Sequence, residues 1–205
     1  MKITWLGHSC FKLESADGVL IFDPSDNGRV PGYAFLPENI TADKVVCSHG
    51  HRDHCAAELI ALSGNAFGGK ITEVAGFHDD VKGAKRGPNT MSLVETEGMR
   101  VVHMGDIGCE LDDEQKAILA KPDVLMIPVG GYYTVEPELA KKIADELGAK
   151  VVIPMHYRSD SFGYEEIGRL ENYTSLCDNV VDYAENFIEI DENTPAQTAV
   201  LTYCP

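Results

Sequence analysis

The sequence predicts an α+β protein in which short strands outnumber helices and helices recur in both halves, a pattern that suits a duplicated sandwich. Three observations carry this. Apolar and polar residues alternate through the opening strands, further short strand-like runs fill the middle, and beyond Asp106 the period changes to a strand, helix, strand unit. The chain has no repeat of solenoid period, no low-complexity tract and no linker, so its 205 residues read as one domain, 1–205, long enough to bury a core.

The elements follow in order. Lys2 to Leu6 and Cys10 to Glu14 alternate as half-buried strands, and Val19 to Phe22 follows a turn at Asp17-Gly18, a dipeptide that favours hairpins. Asp23 to Glu38, with Pro24, Gly28, Pro31, Gly32 and Pro37, is a loop long enough to be a lid or a surface excursion. Lys44 to Cys47 reads as a strand and Ala56 to Leu62 as a helix. Strands are expected at Ile71 to Val74, Met91 to Glu95 and Arg100 to Met104, with a glycine-bearing loop from Phe77 to Thr90. Asp113 to Ala120 is helical in pattern, Val124 to Pro128 is an apolar strand, Glu136 to Leu147 is an amphipathic helix stopped by Gly148, and Lys150 to Pro154 is a strand. A helix over Thr174 to Tyr183 and strands Phe187 to Ile190 and Ala199 to Tyr203 complete the chain.

Seventeen Lys and Arg against 33 Asp and Glu leave a net charge of −16, a field that repels polyanions and makes nucleic acid and anionic membranes poor partners. No run of about 18 apolar residues is present, and the first ten residues lack the apolar stretch of a secretion signal, so a cytoplasmic protein is expected. Six cysteines (Cys10, Cys47, Cys55, Cys109, Cys177, Cys204) show no Cys-x-x-Cys spacing and read as free thiols.

The chemistry is densest at Ser48-His49-Gly50-His51-Arg52-Asp53-His54-Cys55, where three imidazoles and a carboxylate fall within six residues. Imidazole and carboxylate are preferred ligands of borderline first-row cations, and crowding them is costly unless a cation offsets their competition. In an extended chain His49 and His51 point to one side and can address a single ion, while Asp53 and His54 follow the turn and can address a second. The bland alternative makes Asp53 a helix cap. Cys55 is either a soft ligand or a small buried residue.

His-x-His-x-Asp-His resembles the metallo-β-lactamase superfamily. That resemblance implies a four-layer αββα sandwich with one or two metals at its mouth, completed by a later histidine, an acidic residue after a strand and a final histidine. The chain offers His78, Asp106 and His156 in that order, each after an expected strand or in a glycine-containing turn. The likeness continues through Gly7-His8-Ser9-Cys10-Phe11, Phe22-Asp23-Pro24, the Phe77 to Gly87 stretch and Pro128-Val129-Gly130-Gly131, which look like the small stand-alone branch similar to the ascorbate-6-phosphate lactonase group. By resemblance, His49, His51 and His78 hold one ion, Asp53, His54 and His156 the other, and Asp106 bridges them. Two divalent ions are implied, zinc first, with manganese, nickel and iron also accepted by these ligand types.

Other residues are weighed beside this set. His8 is an extra or supporting ligand, or a hydrogen-bonded turn histidine; Asp23 orients a ligand imidazole through its ring N–H, or opens an ordinary Asp-Pro turn. His103, three residues before Asp106, is expected to face away, and Asp79 and Asp80 are acidic rivals to His78. Lys85 and Arg86 form a basic pair that either receives a substrate anion or sits solvated on the surface. Tyr132 and Tyr133 either assist an oxyanion or wall the cleft.

The expected activity is hydrolysis of a small anionic ester, lactone or phosphoester by a metal-bridging hydroxide, with Asp53 and Asp106 as ligands that orient it. No Gly-x-Ser-x-Gly elbow suggests a protein nucleophile. The expected partner is a small-molecule substrate, and self-association into a homo-oligomer is left open. The alternatives are a di-iron oxidoreductase on the same scaffold, for which the chain has no room for a flavin domain, and a non-catalytic metal or ligand-binding protein.

Overall fold

Two sheets packed face to face form the frame of the computed structural model, which describes residues 1–34 and 36–204. Phe35, inside the expected loop from Asp23 to Glu38, and Pro205 lie outside the described residues. The strands are β1 (Lys2–Gly7), β2 (Cys10–Ser15), β3 (Gly18–Phe22), β4 (Thr41–Ala42), β5 (Lys44–Val46), β6 (Ala61–Leu62), β7 (Lys70–Phe77), β8 (Pro88–Thr96), β9 (Met99–His103), β10 (Val124–Pro128), β11 (Val151–Met155), β12 (Val180–Asp182), β13 (Phe187–Glu189) and β14 (Gln197–Val200). The helices are α1 (Asp113–Leu119), α2 (Pro137–Leu147) and α3 (Glu171–Thr174).

The first sheet has the order β13-β1-β2-β3-β5, and the second the order β12-β14-β11-β10-β9-β8-β7. In the first, β1 to β3 form an antiparallel meander and β5 joins parallel to β3. In the second, β7, β8 and β9 are antiparallel and the strands beyond β9 run parallel. Inward residues of both sheets (Ile3, Trp5, Phe11, Leu13, Leu20 and Phe22 from one; Val94, Val101, Met126 and Ile153 from the other) share one buried core. The central strands β10 and β11 are buried at every position, as expected of parallel strands covered on both faces.

Helix α2 lays Ala140, Ile143, Ala144 and Leu147 against the second sheet, starts with Pro137 in its first turn and stops at Gly148, whose φ of +66° only glycine adopts without strain. Helix α1 begins with a capping box in which Asp112 accepts from the Gln115 N–H and Gln115 accepts from the Asp112 N–H. The expected strand, helix, strand unit is thus β10-α2-β11.

Three expectations are corrected. The helix over Ala56 to Leu62 is only a 3-10 turn at Ala57–Leu59, because Ile60 is already extended and Ala61–Leu62 pairs with Thr41–Ala42. A segment this short cannot repay helix nucleation without packing; instead Ile60 joins Cys10, Ile21 and Ala42 in a small second cluster on the outer face of the first sheet. The helix over Thr174 to Tyr183 ends at Thr174, since Asp178 and Asn179 are poor helix formers and the β-branched Val180 and Val181 join the sheet edge as β12. The last strand is Gln197–Val200, and Tyr203 beyond it packs against Trp5 and Tyr33 instead.

Because β1, β3 and β5 run one way in the first sheet, and β7, β9, β10 and β11 run one way in the second, their C-terminal ends deliver seven loops to common edges. Ligands in open sheets gather at such ends.

Candidate metal centre

Each strand end contributes side chains to one cluster. β1 leads into His8, β3 into Asp23, β5 into the loop from Ser48 to His54, β7 into His78, β9 into Asp106 and β11 into His156. Eight non-glycine residues among those described have left-handed φ; three of them, His8 (+51°), Asp23 (+42°) and His156 (+54°), lie at these ends, and a fourth, Tyr132 (+59°), lies in the loop after β10. Such strain persists only where the surroundings impose it, and it concentrates at functional sites. Gly105, at φ +55°, serves the same edge: a Cβ there would collide with Ser48 and Asn89.

Asp106 is the centre of the cluster. Its Oδ2 lies 3.2 Å from His54 Nε2, 3.2 Å from His78 Nε2 and 3.3 Å from His156 Nε2. His49 Nε2 is 3.0 Å from His51 Nδ1, and the donor atoms of His49, His51 and His78 all lie within 4.8 Å of one another. The same closeness relates His49, His54 and Asp106, and also His8, His54 and His156. Asp53 stands at the margin, with Oδ2 4.0 Å from both His54 Nε2 and His8 Nε2, and accepts a hydrogen bond from the Tyr164 hydroxyl at 3.2 Å.

The donor set fits a divalent cation. His54 Nε2, His8 Nδ1 and Nε2, and Asp106 Oδ1 are buried without a hydrogen-bond partner, a cost that buried polar groups rarely bear without a compensating ligand. Burial works against a charge on His54, yet the Asp106 and Asp23 carboxylates push its pKa well above the ordinary value, so the local field favours positive charge there. Burial also disfavours the Asp106 carboxylate, but His156 and His54 outweigh it and hold the group well below the usual carboxylate range. His49 goes the other way: burial, then the neighbouring His54, lowers it to about 4, which keeps a ring lone pair available for coordination.

The supports are as ordered as the cluster. Asp23 is 1% exposed; its Oδ1 accepts from the Ser48 N–H at 2.7 Å, and its Oδ2 accepts from the Ser48 hydroxyl at 2.6 Å and pairs with His54 Nδ1 at 2.8 Å. Through that last contact Asp23 turns His54 Nε2 toward Asp106. Asn89 fixes the Asp106 loop, accepting from the Asp106 N–H at 2.8 Å and donating to the Met104 carbonyl at 2.9 Å.

The family model for a beta-lactamase superfamily domain matches residues 2–156. A UPF0173 metal-dependent hydrolase from Archaeoglobus fulgidus is 34% identical over 196 residues, covering 78% of this chain and 84% of that protein. Another from Methanospirillum hungatei is 30% identical over 236 residues, covering 98% and 95%. A crystal structure of a metallo-beta-lactamase superfamily protein from Thermotoga maritima superposes with a TM-score of 0.79 at 34% identity, covering 98% of this chain and 97% of that one. The chain belongs to the metallo-β-lactamase superfamily. It is a metal-dependent hydrolase of the stand-alone branch, with an α+β sandwich fold and a His and Asp cluster for metal.

The superfamily cluster opens into a cleft of about 500 Å³ lined by Arg29, His51, Arg52, Asp53, His78, Arg86, Asp106, Tyr133, His156 and Tyr164. Arg52 is engaged with Asp26 and Glu58, whereas Arg29 and Arg86 make no ion pair among the described residues. The Arg86 guanidinium sits over the Tyr133 ring, 5.4 Å from its centroid.

The remaining sequence candidates divide. Lys85 pairs with Asp80 at 2.9 Å on the surface and does not line the cleft. Tyr132 is 58% exposed, packed edge-on to Tyr133, which does line it. His103 is buried away from the cleft, stacked on Phe22, with Nε2 2.9 Å from the Ser9 carbonyl. Cys55 lies beside Cys47 and joins none of the metal-compatible groups found among the described residues. Asp79, a rival to His78 on sequence, is buried and accepts from the backbone N–H groups of Val81, Gly83, Lys85 and Arg86 at 2.8–2.9 Å. Arg29, Ser48, Asn89 and Tyr164 escaped the sequence reading. Only Arg29 and Ser48 carried a hint, one in the long loop and one beside the histidines.

Proposed function

We propose that the chain hydrolyses a small anionic ester, lactone or phosphoester, with two divalent ions, zinc first, at the cluster. The observation that carries the anionic substrate is the cleft: in a molecule of net charge −16, the side chains that line it include two unpaired guanidiniums, Arg29 and Arg86, beside the metal-ligand carboxylate Asp106. Guanidinium forks recognise carboxylate and phosphate oxygens in bidentate geometry. His49, His51 and His78 then serve one ion and Asp53, His54 and His156 the other, with Asp106 between.

Bound divalent ions supply Lewis acidity, polarising a substrate oxygen and acidifying water. The protein does the rest. Arg29 and Arg86 hold the substrate anion, Tyr133 braces Arg86 and walls out solvent, and Asp23 fixes His54 in one tautomer through its Nδ1–H. Tyr164 donates to Asp53 and thereby sets which carboxylate oxygen faces the cluster. A compact, acidic, cytoplasmic enzyme acting on a small molecule fits this reading, with nucleic acid and anionic membranes disfavoured by charge.

The test is a panel of lactones, carboxylic esters and phosphoesters, in charged and neutral pairs, assayed with metal-loaded protein. An anionic member is turned over at least about tenfold more efficiently than its neutral counterpart, and Arg86→Ala and Arg29→Ala raise KM with little change in kcat, since they remove binding shared by ground and transition states. Equal turnover of the neutral member, or insensitivity of KM to both arginines, contradicts the reading.

A further inference from the structure

His8 is the one imidazole at the centre that the resemblance does not place among the seven ligands, and it is held there more firmly than a turn histidine needs to be. It is 1% exposed, and both ring nitrogens lack a hydrogen-bond partner. A satisfied core histidine looks like His103, whose Nε2 sits 2.9 Å from the Ser9 carbonyl and whose Nδ1 accepts from the Gly105 N–H at 3.1 Å. His8 has nothing of that kind.

The backbone spends strain to keep it in place. Gly7 at φ +112° and His8 at φ +51° make a tight reversal out of β1, and the Trp5 indole N–H clamps the His8 carbonyl at 2.9 Å. Trp5 is itself 2% exposed and wedged among Tyr33, Tyr157, Phe162 and Tyr203, so the clamp cannot swing. The ring that results stands 4.1 Å, centroid to centroid, from His156 and 5.3 Å from His54. The donor atoms of His8, His54 and His156 lie within 4.8 Å of one another, all three buried.

We propose that His8 is a direct ligand of the ion that His54 and His156 hold. Hydrogen bonding within the protein does not replace this role: both ring nitrogens are unpartnered, and Asp53 Oδ2, the carboxylate oxygen beside the ring, is 4.0 Å from His8 Nε2, beyond hydrogen-bond distance. The donor set of that ion becomes three imidazoles with Asp106 and Asp53 alongside. Asp53, whose cluster-facing Oδ2 is shared with the Tyr164 hydroxyl, is then the weaker partner, and an imidazole in its neighbourhood compensates.

This inference rests on the metal reading of the cluster and not on the choice of substrate, so it is tested without turnover. Histidine labelled with 15N in the wild-type protein reports each ring nitrogen as Zn2+ is added to chelator-stripped sample. One nitrogen of His8 moves to a coordinated shift together with those of His54 and His156; a His8 signal that keeps its unligated shift while those two saturate overturns the proposal. In parallel, His8→Ala and His8→Gln, checked for folding by thermal melting, are titrated with Zn2+ and Co2+ by calorimetry and absorption. One of two binding events weakens by at least about 100-fold, beyond the usual effect of removing a supporting residue, and the other is unchanged. Wild-type affinities and an unaltered Co2+ spectrum in both folded variants overturn it. Failure of the wild-type protein to bind any ion would instead bring down the metal reading itself.

Discussion

The loop from Ser48 to His54 and the loop from His78 to Arg86 reach Asp106 from opposite sheets, and each is organised by one buried aspartate. Asp23 spends its oxygens on Ser48 and on the ring N–H of His54. Asp79 spends all of its capacity on four backbone N–H groups of its own loop. The difference separates tuning from shaping: a carboxylate bonded to a ligand imidazole sets that ligand's tautomer and basicity, whereas one bonded only to backbone sets where the loop goes. Both loops therefore break under substitution, but with different readouts.

The largest effect is expected where the loops meet. Asp106→Ala removes the one oxygen that faces His54, His78 and His156, and should lower kcat/KM by about 1000-fold or more while depleting bound metal, because several kcal/mol of transition-state stabilisation travel with the ions. Elemental analysis beside kinetics reads both. Asp23→Asn comes next. With its neighbour's tautomer no longer enforced, metal affinity falls by about 10- to 100-fold, measured by competition with a chromogenic chelator.

Asp79→Asn should act differently, raising KM and lowering thermal stability with kcat nearly kept, because Arg86 and His78 lie on the loop it shapes. The pH dependence of stability gives the sharper test. Burial opposes the Asp79 charge, but the N–H donors of Arg86, Val81, Gly83 and Lys85 outweigh it and take the group from 3.8 down to about 2. A carboxylate depressed in the folded state binds fewer protons folded than unfolded, so its stabilisation is complete above about pH 4 and disappears as the pH falls toward 2. The stability gap between wild type and Asp79→Asn should follow that window in acid melts; a gap constant from pH 6 to pH 2 would show that the charge is not what holds the loop. The smallest effect belongs to Lys85→Ala, which breaks a solvent-exposed ion pair with Asp80 and should leave both KM and the melting temperature essentially unchanged.

The two loops were also unequally legible. His49, His51, Asp53 and His54 stand in one short stretch, so ligand chemistry and local geometry suffice to mark them. His78, Asp106 and His156 are single residues whose meaning lies in the order of strands, and only the resemblance singled them out. Asp79 looked like a rival ligand because carboxylate chemistry is the same for an ion and for backbone N–H groups; only the fold reveals which it meets. Asn89 and Tyr164 carried no sequence signal for the same reason, since Asn89 acts on the Asp106 loop from the neighbouring strand β8 and Tyr164 acts on Asp53, which follows a strand of the other sheet. Among the elements, the buried runs of β10 and β11 and the capped helices α1 and α2 were readable from period and caps. The segments after Ala56 and Thr174 were not, because edge-strand pairing overrode weak helical periodicity.

The most direct measurement is calorimetric titration of chelator-stripped wild-type protein with Zn2+, repeated for Asp106→Ala and for His49→Ala. Convergence of both loops on one carboxylate requires two equivalents bound by the wild type, both events weakened in Asp106→Ala, and one weakened far more than the other in His49→Ala. Less than one equivalent in the wild type, or two events that ignore Asp106, would contradict a shared centre.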